Sequence, residues 1–163
     1  MTDLLELSAD QPGVTLADGQ VLIAEGAPPA ELYVLVSGEL VIEHDGVTFA
    51  RVDSPGAVFG EMSAVLDRPA TATVRAMGPV ELRRVADPMA FLAERPAAAL
   101  AVLRTTASRL DGLTQYLVDV KRQFADAGGH FGMLDAILDH LVHHQAPEPR
   151  TGSARDPEGD HGH

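Results

Sequence analysis

The chain contains no cysteine and no tryptophan. The first absence removes disulfides, thiolate metal sites and cysteine nucleophiles together, and it suits a reducing cytoplasm. No stretch approaches the roughly 18 uncharged apolar residues needed to cross a bilayer. The start, Met1-Thr2-Asp3-Leu4-Leu5-Glu6, lacks the basic residues and apolar run of a signal peptide. These absences predict a soluble, cytoplasmic protein with no membrane span. Lysine is nearly missing as well, since eleven of the twelve basic residues are arginines. Acidic residues number 24, for a net charge of -12. Such a chain is repelled by phosphate backbones at long range, which predicts no nucleic-acid partner. A local basic pocket could still hold one small anion, and the planar arginine fork suits a carboxylate or phosphate, although arginine-for-lysine usage also follows genome composition. Neither a Gly-x-Ser-x-Gly elbow nor an NTPase-type phosphate loop occurs, so no motif carries catalysis and the chain reads as a non-enzyme.

What is present is a packed domain with an appendage. The length of 163 residues and a hydrophobic content of 45% support one core. Residues 14–86 read as short strands divided by turn residues. Gln20–Ala24 lies between Asp18-Gly19 and Gly26. Glu31–Val36 ends at Ser37-Gly38. Glu39–His44 and Val47–Val52 flank Asp45-Gly46, a strong hairpin signal. Thr71–Met77 and Val80–Val85 are read as another pair turning at Gly78-Pro79. Evenly spaced short strands suggest a barrel or sandwich.

From Asp87 the period changes. Asp87-Pro88 and Arg95-Pro96 each open a helix. Between Pro96 and Ala125, Leu103, Leu110, Leu117 and Phe124 recur every seven residues, with Thr106, Leu113 and Val120 at the second position of the stripe. This pattern predicts a homodimer seam, the alternative being a helix packed on its own domain. Gly128-Gly129 ends that helix, and a shorter one is expected over 130–144 with Phe131, Leu134, Leu138 and Leu141 on one face. The composition of 146–163 predicts a disordered tail. The implied division is a β domain with an N-terminal helix over 1–95, a long helix over 96–127, a short helix over 130–144 and the tail. His140 and His144 share a helix face beside Asp139 and His143, but no third ligand follows at a clear spacing, so no metal is expected.

Residues 55–75 read Pro-Gly-Ala-Val-Phe-Gly-Glu-Met-Ser-Ala-Val-Leu-Asp-Arg-Pro-Ala-Thr-Ala-Thr-Val-Arg. This segment resembles the phosphate-binding cassette of the cyclic-nucleotide-binding domain family. The run from Gly19 to Val41, with Glu25-Gly26, Tyr33-Val34-Leu35 and Ser37-Gly38-Glu39, is similar to the opening strands of that family. The resemblance covers roughly residues 10–125. It implies a mainly β fold with α: an antiparallel β-barrel of jelly-roll type, flanking helices and a long C-terminal helix. It implies cyclic AMP or cyclic GMP as the ligand.

The residues agree with that chemistry. Phe59-Gly60-Glu61 opens a short helix, whose free amides, including those of Met62 and Ser63, suit a phosphate. Gly60 lets backbone approach a ligand closely. In the family, the glutamate at the position of Glu61 accepts a hydrogen bond from the ribose 2′-hydroxyl; its blander role is to complement the helix dipole. The pattern departs at one place. The family carries an arginine directly after the cassette proline, and here Pro69 is followed by Ala70. A hydrogen bond to a charged group contributes about 1.5–3 kcal/mol, so its loss weakens binding by roughly ten- to a hundredfold. Arg68 is the candidate substitute, with Arg75 on a strand further on. Thr71 matches a position where a hydroxyl can contact phosphate or guanine. Aligned through Ala107-Ser108-Arg109-Leu110, the base-contacting pair of the family falls on Leu113 and Thr114, of which only Thr114 is polar.

Regulators of this family that bind DNA carry a helix-turn-helix after the long helix. The roughly 35 residues left here, mostly tail, predict none. Two functions follow: a stand-alone cyclic-nucleotide sensor that acts through a protein partner, or a domain that has lost the nucleotide and serves as an interaction scaffold. A pocket for another small anion is the third and weakest option.

Overall fold

The computed structural model describes residues 3–124 and Asp139. The chain divides into two compact units, residues 1–109 and 110–163, each treated by itself below. The expected helix over 130–144, its histidines and the tail over 146–163 lie outside the described residues, Asp139 excepted.

The first unit opens with a single helical turn, α1 (Leu4–Leu7), followed by β1 (Gly13–Leu16), β2 (Val21–Ile23), β3 (Leu32–His44), β4 (Val47–Val52) and β5 (Val58–Phe59). Helix α2 (Glu61–Leu66) precedes β6 (Thr73–Val85), and α3 (Pro88–Glu94) leads into α4 (Pro96–Phe124), which runs on into the second unit. The six strands pair antiparallel in one sheet, in the order β1-β6-β3-β4, with β2 also on β6 and β5 on β3. The fold is thus mainly antiparallel β with helices.

Local chemistry explains the element ends. Asp45 and Gly46 both adopt positive φ, 49° and 77°, the two-residue turn whose twist matches the flanking strands. The Asp87 side chain accepts a hydrogen bond from the Ala90 amide at 3.0 Å, and Pro88 fills the first helical position.

Two sequence expectations are corrected. Ser37-Gly38 does not end a strand, and Gly78-Pro79 is not a turn between two strands. Both lie inside the 13-residue strands β3 and β6, which pair from Leu32↔Val85 to Glu43↔Thr73. Gly38, at φ 97°, and Gly78, at φ 77°, bend the strands without ending them. A Cβ on Gly38 would lie 2.4 Å from the Pro79 carbonyl oxygen, so the backbones approach closely where turn residues suggested a break.

Two apolar clusters form the core. Leu16, Leu35, Leu40, Phe59, Val74 and Leu82 pack among the strands. Leu32, Val34, Val58, Val85, Phe91, Ala98 and Val102 pack where α3 and the start of α4 meet the sheet, together with Leu4 of α1. Full burial of a side chain of this size contributes about 1.5–3 kcal/mol. Arg95 fastens the helical side. It forms a two-pronged ion pair with Asp10, donates to the Leu7 carbonyl at 2.8 Å and stacks 4.7 Å from the Phe91 ring. That guanidinium holds the Asp10 carboxyl well below the ordinary range. No helix among the described residues is long and apolar enough to cross a membrane.

Candidate functional site

Between β5 and α2 the chain turns sharply at Gly60, where φ is 84° and ψ is -4°. Only glycine fits there without strain, because a Cβ would lie 2.4 Å from the Glu31 carbonyl oxygen. The turn sets Glu61 as the first residue of α2 and aims its side chain inward, leaving it 5% exposed. The end of the helix is tied back on itself. Asp67 adopts φ 48°, the Arg68 amide donates to the Ser63 carbonyl at 3.2 Å, and the Ser63 hydroxyl donates to the Arg68 carbonyl at 2.6 Å. Ala70 is pinned on both sides: its carbonyl accepts from the Gly26 amide at 2.7 Å, and its amide donates to the Ala27 carbonyl at 2.9 Å.

These constraints wall a cavity of about 500 Å³ within the first unit. Phe59, Gly60, Glu61, Met62, Ser63, Arg68, Ala70 and Thr71 all line it, so eight of the nine residues singled out in the sequence come together. The ninth, Thr114, lies on α4 in the second unit, where its hydroxyl donates to the Leu110 carbonyl at 2.9 Å. Arg75 does not line the cavity; it pairs with Glu43 at 3.5 Å and donates to the Gly19 carbonyl at 3.0 Å.

Arg109 is the site residue that sequence reasoning missed. Its Nη1 lies 2.5 Å from Glu61 Oε1, and its Nη2 donates to the Val58 carbonyl at 3.1 Å. The signal was present in the helix period. Val102 packs into the core, and Arg109 follows seven residues later on the same face. Burial pushes the Glu61 carboxyl above its ordinary value of 4.5, and the Arg109 charge only partly offsets that loss of hydration. Glu61 therefore depends on a donor inside the cavity. Arg68 differs: its guanidinium has no ion-pair partner among the described residues, although it lines the same cavity.

The rim is clamped by His44 at the end of β3. Its Nδ1 lies 2.8 Å from the Thr71 carbonyl oxygen and 2.9 Å from Glu25 Oε1, and Asp45 Oδ2 is 3.5 Å from Nε2. The Thr71 carbonyl, followed by the two carboxylates, raises the pKa of the imidazole. Glu25, His44 and Asp45 bring three potential metal donors within 4.8 Å of one another. All three are exposed and already engaged with each other, so charge pairing accounts for the cluster.

Comparison with known proteins adds the remaining findings. Residues 14–88 match the model of the cyclic nucleotide-binding domain. Over 72 residues the chain is 32% identical to the cAMP-dependent protein kinase regulatory subunit of Dictyostelium discoideum, a match covering 40% of this chain and 22% of that protein. The chain thus spans about a fifth or less of the curated relatives it matches. Among solved structures, it is similar to the N-terminal domain of a transcriptional regulator from Streptomyces coelicolor A3(2), at 36% identity and TM-score 0.51, covering 66% of this chain and 81% of that one. The sensor domain of the transcriptional regulator DNR from Pseudomonas aeruginosa aligns at 26% identity and TM-score 0.50, covering 64% and 75% of the two chains. With the cassette cavity, the matched domain and these relatives taken together, the chain belongs to the cyclic nucleotide-binding domain family.

Proposed function

We propose that this protein is a cyclic-nucleotide sensor without catalytic activity of its own, passing its signal to a protein partner in the cytoplasm. One observation carries the reading. A cavity of about 500 Å³ holds a buried carboxylate, Glu61, and an arginine with no ion-pair partner among the described residues, Arg68. The volume falls in the usual range for small-ligand sites. The ribose 2′-hydroxyl donates to Glu61, and the cyclic phosphate sits against the backbone at Gly60 and the first amides of α2, with the hydroxyls of Ser63 and Thr71 nearby. Arg68 supplies the cation that Ala70 cannot. The same reading takes the sheet as rolled into a jelly-roll barrel. A core cluster fed by β1, β3, β5 and β6 supports it, because a flat sheet would have no enclosed side.

Signalling requires the ligand to prefer one arrangement of a movable element over another. Arg109 on α4 contacts the residue assigned to the ribose, so ligand that engages Glu61 competes with or reshapes the contact made by the helix. In this reading α4 pairs with its copy in a homodimer through the leucine stripe. Leu103, Leu110 and Leu113 of that stripe have exposed side chains, as a seam requires.

A second reading is favoured by Ala70 and by the Arg109 already held on Glu61: a domain that no longer binds nucleotide and serves as a protein-interaction scaffold. Calorimetric titration with cyclic AMP and cyclic GMP separates the two. The sensor reading expects micromolar or tighter binding, abolished by Glu61→Ala and weakened about tenfold or more by Arg68→Ala. Flat titrations of a well-folded sample with both nucleotides refute the sensor and leave the scaffold.

A further inference from the structure

We infer that His44 is a positioning residue for the ligand: it holds the cavity wall at Thr71 from outside, and its proton sets how tightly the nucleotide binds. The assignment rests on the sensor reading and deepens it. The ladder between β3 and β6 ends at Glu43↔Thr73. Ala70, Thr71 and Ala72 lie beyond that end, yet all of them line the cavity. Other contacts hold their backbone. Ala70 is pinned to Gly26 and Ala27, and the Glu25 amide donates to the Thr73 hydroxyl at 3.0 Å. The Thr71 carbonyl is held by a side chain, the His44 imidazole, whose Nδ1 lies 2.8 Å away.

The imidazole is itself set between two carboxylates. Glu25, from the loop after β2, places Oε1 2.9 Å from Nδ1 and accepts the Asp45 amide on Oε2 at 3.2 Å. Asp45, in the turn after β3, places Oδ2 3.5 Å from Nε2. Both carboxylates and the Thr71 carbonyl favour the cationic ring. The neighbouring charges on β3 and β6, Glu43 and Arg75, pair with each other. Within the cavity Glu61 and Arg109 pair as well, which leaves Arg68 as the cation met by the phosphate. A neutral imidazole carries its hydrogen on either nitrogen, so it holds the Thr71 carbonyl only part of the time. The cation carries hydrogen on both and keeps Nδ1–H between that carbonyl and Glu25. It also sets a positive charge beside a residue that lines the phosphate's cavity. Both effects have one sign: the protonated protein binds the nucleotide more tightly. The His44 side chain is 57% exposed, so solvent screens it, and affinity changes about two- to fivefold, the scale of one exposed ion pair. Because these partners raise the His44 pKa above its ordinary 6.5, affinity falls as pH rises through that higher value.

The test is calorimetric titration of the full chain with cyclic AMP and cyclic GMP between about pH 6 and about pH 8, in two buffers of different ionisation enthalpy. Neither nucleotide titrates over this range, so any change belongs to the protein. The natural chain should bind about two- to fivefold more tightly at the acid end and take up about 0.2–0.4 proton per ligand near the midpoint. His44→Gln keeps a neutral donor for the Thr71 carbonyl and leaves Glu61 in place, and it should lose both the pH dependence and the proton uptake. Glu25→Gln keeps an acceptor for the Asp45 amide but removes a charge that favours the imidazolium, and it should move the midpoint to lower pH. Both positions are exposed, so the variants should fold, which circular dichroism verifies. Natural protein with equal affinity at both ends of the range overturns the assignment while leaving the sensor reading intact. So does a His44→Gln protein that keeps the full dependence. Natural protein that binds neither nucleotide sinks the sensor reading itself, and this inference with it.

Discussion

Removing the Arg109 guanidinium should reveal how strongly the fold depends on pairing Glu61. The Glu61 carboxylate is 5% exposed, and its one side-chain donor among the described residues is Arg109 at 2.5 Å. In Arg109→Ala the carboxylate stays buried with that donor gone. Breaking a fully buried pair costs about 3–5 kcal/mol. The Arg109 side chain is itself 43% exposed, so water replaces part of what is lost, and about 2 kcal/mol at neutral pH is the expected cost. For a domain near 100 residues that lowers the melting temperature by roughly 8–16 °C. In a Glu61→Gln background no buried charge needs a partner, and the same Arg109→Ala change should cost less than about 1 kcal/mol. The cycle therefore carries a coupling of at least about 1 kcal/mol.

The pH dependence gives an independent check. The folded-state pKa of Glu61 lies above its ordinary 4.5, because burial favours the neutral acid. The folded protein then binds more protons than the unfolded chain, so this group erodes stability as pH rises from 4.5 through the folded value. Arg109→Ala removes a cause that lowers this pKa, so its deficit should be small near pH 4.5 and full at neutral pH. Urea denaturation followed by circular dichroism at about pH 5 and pH 7.5, across all four proteins, measures both effects. Equal costs of Arg109→Ala in the two backgrounds, or a deficit that does not shrink in acid, would refute the reasoning.

Three further outcomes follow from the same geometry. Gly60→Ala forces a Cβ against the Glu31 carbonyl at a left-handed position and should cost upwards of about 2 kcal/mol, seen as a drop in the thermal midpoint; an unchanged midpoint would mean the turn is not needed. Ala70→Arg restores a charged donor beside the cavity and should tighten cyclic AMP binding by roughly ten- to a hundredfold in calorimetry, whereas no gain would show that Arg68 already fills that place. The combined Leu103→Glu and Leu110→Glu protein should sediment as a monomer where the natural chain sediments as a dimer; a natural chain that is already monomeric ends the seam proposal.

What the sequence determined by itself was whatever local chemistry enforces. Asp45-Gly46 needs no neighbours to favour a turn with two positive φ values, and Asp87-Pro88 caps and starts a helix from its own side chains. The run from Phe59 to Thr71 was legible through its resemblance to a known cassette, and a left-handed glycine followed by one short helix brings its eight candidate residues around one cavity. Long-range pairing decided the rest. Ser37-Gly38 and Gly78-Pro79 carry turn signals, yet the ladder between β3 and β6 resumes beyond both, shifting register at the bends and pairing again at Glu39↔Met77. Whether Arg68 or Arg75 enters the cavity depended on the register of β6, which gave Arg75 to Glu43. The Arg109–Glu61 pair joins residues 48 apart in sequence, and the exposed ring of Phe49 comes from a one-residue offset between β3 and β4. Neither a helix period nor a strand alternation encodes such relations, since both arise only when separate elements are docked at a fixed register.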